Sequence, residues 1–118
     1  IQSARTDIVS QDIFDMAFID LLSSCHAVLT KTGYGMLVEA TVNQVPVICI
    51  TRNGWPEEPA LFKWVKAEGY LQIIQLSEFN AGDFAKAAEK ALATRWKKPP
   101  TASNGAEIAA KLLANYLK

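Results

Sequence analysis

The sequence has no long apolar run. Its longest stretches, such as residues 45–50, are strand-sized and fall far short of the roughly 20 residues a helix needs to cross a bilayer. No transmembrane segment is expected. Neither sign of charge is in excess, since twelve basic residues balance twelve acidic ones. A basic face or stripe of the kind that holds phosphate backbones is therefore not expected, nor is a nucleic-acid partner. Histidine occurs once and cysteine twice, with no Cys-x-x-Cys spacing. That excludes a disulfide-built scaffold and speaks against a metal site. Cys25 and Cys49 each stand among apolar neighbours. They are read as two buried, reduced thiols, which suits a cytoplasmic setting. No basic-then-apolar leader pattern opens the chain; it starts at Ile1 and is read as a cut from a longer polypeptide.

What is present is a globular composition. Half of the 118 residues are hydrophobic, enough for one domain with a core. Ile13, Phe14, Met16, Ala17, Ile19, Leu21 and Leu22 follow helical spacing behind Asp12 as a cap, in a helix ending near Ser23 and Ser24. Residues 27–30 read as a short buried strand, and residues 36–42 as a helix closed by Asn43 in a left-handed conformation. Pro46 opens a strand over residues 47–50. Its lack of alternation suits a strand covered on both faces. A polar loop, residues 51–59, leads to a helix over 60–68 closed by Gly69. Residues 71–76 read as a strand and 83–95 as a helix. Lys97-Lys98-Pro99-Pro100 breaks that helix. Asn104 and Glu107 resemble a capping box before a last helix that packs Ile108, Ala109, Leu112, Leu113, Tyr116 and Leu117. Strands alternating with helices predict an α/β fold: a Rossmann-like parallel sheet with helices on both faces.

Ligands of such sheets bind at the carboxyl ends of the strands. Two loops leave strands at that edge. The first is Lys31-Thr32-Gly33-Tyr34-Gly35, running into a helix at Met36. Its glycines allow close backbone approach. The helix start offers unpaired N–H groups and the positive end of a dipole, which suits phosphate. Lys31, Thr32 and Tyr34 can add side-chain contacts. A plain tight turn fits the same residues. Glu39, about one turn into that helix, can accept hydrogen bonds from vicinal hydroxyls as an acidic residue does for ribose, or can simply face solvent. The second loop, Thr51-Arg52-Asn53-Gly54-Trp55-Pro56-Glu57-Glu58, mixes a cation, two carboxylates and an aromatic ring. It can grip a sugar, or be a solvated loop with Trp55 folded onto the domain. His26 is read as structural, and Arg95, Lys97 and Lys98 as a solvated helix end. No catalytic residue is assigned.

Residues 20–40, which carry Lys31-Thr32-Gly33-Tyr34-Gly35 and Glu39, followed by Val45-Pro46-Val47-Ile48, resemble the donor-binding half of GT-B glycosyltransferases. The likeness is greatest to the peptidoglycan lipid-linked N-acetylglucosaminyltransferase family. The chain also resembles the glycosyltransferase-like segment of arabinokinase, through the Lys-x-Gly-Tyr-Gly loop and through Glu57-Glu58-Pro59. Asn104-Gly105-Ala106-Glu107-Ile108-Ala109-Ala110 looks like the closing helix of such domains. The likeness covers residues 12–117. It implies that residues 1–118 are a partial domain, the C-terminal half of a longer two-domain protein, whose partner is an N-terminal domain of the same chain. It implies that Thr32, Gly33, Tyr34, Gly35 and Met36 bind the diphosphate of a nucleotide sugar, by resemblance a UDP-sugar. Glu39 would bind the ribose, and Arg52, Asn53, Glu57 and Glu58 would face the sugar. No metal or other cofactor is implied, and catalysis would need the other domain. The chain would be cytoplasmic, or peripheral to a membrane through that other part. The same fold is compatible with a nucleotide-sugar 2-epimerase, with a non-catalytic module beside a sugar kinase, and with a flavodoxin-like carrier.

Overall fold

The computed structural model describes residues 5–118. A 3-10 turn (Gln11–Ile13) and a short helix α1 (Phe18–Ser23) precede strand β1 (Val28–Lys31). Then follow α2 (Tyr34–Val42), β2 (Val47–Ile50), α3 (Glu58–Glu68) and β3 (Leu71–Ile74). Three helices close the order: α4 (Leu76–Ala81), α5 (Ala85–Ala93) and α6 (Gly105–Tyr116). The three strands form one parallel sheet in the order β1-β2-β3, with Val28 beside Val47 and Val47 beside Leu71. The expected α/β class with a Rossmann-like parallel sheet is thus found.

Side chains of a strand alternate between faces, and β2 shows what covers each. Val47 and Cys49 belong to one buried cluster with Leu37 and Ala40 of α2 and Leu61, Phe62 and Val65 of α3. Ile48 and Ile50 pack on the opposite face with Ala87, Ala88 and Ala91 of α5. Helices therefore lie on both faces, which explains why β2 reads as an unbroken apolar run. The first cluster is the larger, and it fixes α2 and α3 side by side behind the strand ends.

The ends of the helices have local causes. Asn43 stays right-handed (φ −89°), and the left-handed residue closing α2 is Gln44 (φ 61°). The amide of Gln44 donates to Thr41 and that of Val45 to Ala40, the two bonds of a Schellman motif, with Val45 buried beside them. Pro59 stands in the first turn of α3, where a missing N–H costs nothing. That helix starts two residues earlier than Ala60. Helix α4 was not expected. Gln75 and Glu78 form a reciprocal capping box, and Gly82 ends it at φ 72°.

Other expectations are corrected. Helix α1 begins at Phe18, and Ser10, not Asp12, caps the preceding 3-10 turn. Only Leu22 of that stretch is buried, in α1, which packs on α2; Ile13, Phe14 and Met16 ahead of it are exposed. Helix α6 forms, yet none of its residues is buried. Asn104 makes no capping bond and its backbone (φ −110°, ψ 18°) is not the extended one of a capping residue, while the Glu107 carboxylate pairs with Lys111 at 2.7 Å. Cys25 is exposed and only Cys49 is buried. Lys98 is no solvated helix end: its ammonium donates to the carbonyls of Lys66 and Gly69 at the end of α3 and lies 4.7 Å from the Tyr70 ring. Among the described residues, no helix is long and apolar enough to cross a membrane.

Candidate functional site

Parallel order brings the carboxyl ends of all three strands to one edge. The β1–α2 loop leaves that edge first. Gly33 is the N-cap of α2 in extended conformation, and no side chain caps the helix. Leu37 donates the first intrahelical bond, to Gly33. The N–H groups of Tyr34, Gly35 and Met36 therefore have no acceptor within the helix. A Cβ added at Gly33 or Gly35 would meet nothing within 4 Å, so open space lies over this helix start. The helix has nine residues and starts just after the carboxyl end of β1, so the positive end of its dipole lies at that edge.

Glu39 is exposed on α2, while Leu37, Ala40 and Thr41 are buried. Gly35 is also exposed, and residues four apart on a helix share a face. Side chains on a helix lean toward its N-terminus, so the Glu39 carboxylate leans toward the free N–H groups.

The β2–α3 loop meets this helix start through aromatic contacts. Trp55 packs on the core behind α2 and α3 and meets the Tyr34 ring edge-to-face at 5.8 Å. The Arg52 guanidinium lies 5.5 Å from the Trp55 ring, within cation–π range. Loss of solvent, and then the charge and hydrogen bonding of Glu57, push the Tyr34 phenol up from its ordinary value. Tyr34, Arg52, Asn53 and Glu57 are exposed at this edge. Beside them opens a cleft of about 410 Å³ lined by Lys31, Ile50, Thr51, Arg52, Asn53 and Leu76. A hollow of about 490 Å³ runs along α3, and the described residues that line it all belong to that helix.

Two expected contacts turn inward. Glu58 is 8% exposed and lies in the first turn of α3, so its carboxylate does not face the cleft as a sugar contact would. Its Oε2 accepts the Thr32 hydroxyl at 2.5 Å and the Arg52 backbone N–H at 2.7 Å, and its Oε1 accepts the Thr51 hydroxyl. Burial pushes the Glu58 carboxyl up. The bonds from Thr32, Thr51 and the Arg52 amide, with the Arg52 charge, outweigh it and hold the group below its usual range. Thr32 is 1% exposed, and its hydroxyl also approaches the Ile50 carbonyl at 3.3 Å. It is spent inside the protein, leaving this residue only its backbone for a ligand. Burial, and also the Glu58 charge, push the Cys49 thiol up against the lowering effect of Thr32. Thr51 was not singled out in the sequence, because its role depends on a carboxylate seven residues later that turns back toward it.

The chain matches no family model, no curated protein and no solved structure. The reading of the site therefore rests on its own geometry. That geometry offers three unpaired amides and a dipole for an anion, a carboxylate one turn away for hydroxyls, and an Arg–Trp–Tyr group for a polar ring. Among the described residues, no group of three or more histidine, cysteine, aspartate or glutamate side chains is placed to hold a metal ion.

Proposed function

We propose that this chain binds a nucleotide-diphosphate sugar at the carboxyl edge of its sheet, as the donor half of a glycosyltransferase. The observation that carries the reading is the open helix start at Gly33–Met36 with Glu39 on the same exposed face. Unpaired amides at a helix N-terminus favour a diphosphate. An acidic side chain further along favours the vicinal hydroxyls of a ribose. Arg52, Asn53 and Glu57 then lie on the side where a donor sugar would project, with Tyr34 and Trp55 between the two loops. Preorganised amides of this kind stabilise a departing diphosphate without a metal ion. The acceptor and the base would come from another domain.

Glu39→Ala tests the assignment. A carboxylate accepting two ribose hydroxyls is worth about 1.5–3 kcal/mol, so UDP should bind roughly 10- to 100-fold more weakly. Inorganic diphosphate, which has no ribose, should keep its affinity. Equal losses for the two ligands would remove Glu39 from the ribose role.

A further inference from the structure

The two loops that form the site come from different strands, yet one buried side chain holds both. Glu58 starts α3 and reaches back to the end of β2 and across to the end of β1. One carboxylate oxygen accepts from Thr32, in the β1–α2 loop, and from the backbone of Arg52, in the β2–α3 loop. The other accepts from Thr51. Thr32 is followed at once by Gly33, the N-cap of α2. Arg52 carries the guanidinium that lies over Trp55. Bonds to one carboxylate thus link the loop that precedes the α2 amides to the loop that carries Arg52, beside the Tyr34–Trp55 ring contact.

We propose that Glu58 is a positioning residue that ties the β1–α2 and β2–α3 loops into one arrangement, so that a single ligand meets the α2 amides and Arg52 together. The inference rests on the donor-site reading above and adds how that site is held. A carboxylate suits the task because it accepts from three donors at once and donates nothing. Its bonds to hydroxyl and amide donors are charge-assisted, hence short and stiff. Glutamine has the same shape, but one of its two terminal atoms cannot accept. With its oxygen toward Thr32 and Arg52 it keeps those two donors, but its amide nitrogen has to donate to the Thr51 hydroxyl, so that bond is reversed and all three lose the help of the charge. A ligand that sits on α2 alone does not need the tie. A ligand that spans both loops does.

The test compares two probes on the full chain and on two variants, Glu58→Gln and Thr51→Val, with backbone amide NMR as a ligand-free readout. Inorganic diphosphate probes the α2 amides alone, and UDP-N-acetylglucosamine spans both loops. Glu58→Gln should bind the nucleotide sugar at least tenfold more weakly while inorganic diphosphate changes less than twofold. Its largest amide shifts should fall together on residues 32–36 and 51–53. Thr51→Val, which removes one donor and leaves the carboxylate, should show a smaller loss, about threefold, at the same amides. If Glu58→Gln fails to fold, Thr51→Val decides by the same shifts. Equal losses for both probes would make Glu58 a plain stability element and overturn the proposal, as would amide shifts confined to α3. If the wild-type chain binds no nucleotide sugar, the donor reading falls, and the joint response of the two loops alone decides whether the tie exists.

Discussion

Gly69→Ala is the sharpest test of how the body of the domain is locked behind the site. Gly69 ends α3 and is buried. A Cβ there would lie 2.9 Å from the Trp96 ring and 3.1 Å from the Thr41 methyl. Neither neighbour can step aside easily. Trp96 stands edge-to-face against Tyr70 at 5.1 Å, and the Lys98 ammonium next to it holds the α3 carbonyls of Lys66 and Gly69. Thr41 is 1% exposed, and its hydroxyl is bound to the Leu37 carbonyl at 2.7 Å. Overpacking at such a place costs about 1–3 kcal/mol, and the stiffer unfolded chain returns about 0.4–1 kcal/mol. The difference spans about 0–2.6 kcal/mol; two close contacts at once put the expected loss at about 1–2 kcal/mol within that span, or roughly 4–8 °C in melting temperature for a domain of this size. Urea unfolding followed by tryptophan fluorescence measures it directly. Gly69→Ala combined with Trp96→Leu should cost less than the two single losses summed, since the closer of the two conflicts lies between that pair. A Gly69→Ala chain as stable as the wild type would show that residues 94–98 do not press on the end of α3.

Two further outcomes follow from the same geometry. The Glu58 carboxyl is held below its ordinary value of 4.5 in the folded chain, so its contribution to stability is full above that value and fades as pH falls through the lowered one. The stability gap between wild type and Glu58→Gln should therefore be widest near neutral pH and close in acid, with Thr32, Thr51, the Arg52 amide and charge, and the Cys49 thiol as the groups around it; a gap independent of pH from 7 to about 3 would show that the charge is not what the donors hold. Arg52→Ala should weaken a UDP-sugar at least as much as UDP, measured by calorimetric or NMR titration, and unchanged affinity for both would reduce the β2–α3 loop to scaffold.

The sheet was legible because its strands are compact apolar runs, and β2 falls on residues 47–50 as the sequence pattern predicts. Helix α2 was legible from the glycine-rich turn and the apolar residues behind it, apart from its start at Tyr34 and its left-handed close at Gln44. Helical spacing misled at the N-terminal side because spacing says nothing about a partner, and Ile13, Phe14 and Met16 are exposed among the described residues. The same holds for α6, which forms with an apolar stripe that stays exposed. Helix α4 escaped notice because six residues leave no periodic signal; only Gln75 with Glu78, and Gly82, mark it. At the site, Glu39 and the open helix start follow from local order along the chain. The inward turn of Glu58 does not, because its first partner, Thr32, is 26 residues away and only the parallel pairing of β1 with β2 brings them together.

The proposed site for a nucleotide-diphosphate sugar joins the exposed start of α2 to the β2–α3 loop. An amide NMR titration of the chain with UDP tests it most directly, since it detects weak binding residue by residue. Shifts are expected at residues 32–39 and around Arg52, with the amides of α5 and α6 unmoved. No shifts at millimolar UDP, or shifts centred on any other part of the chain, would contradict the proposal.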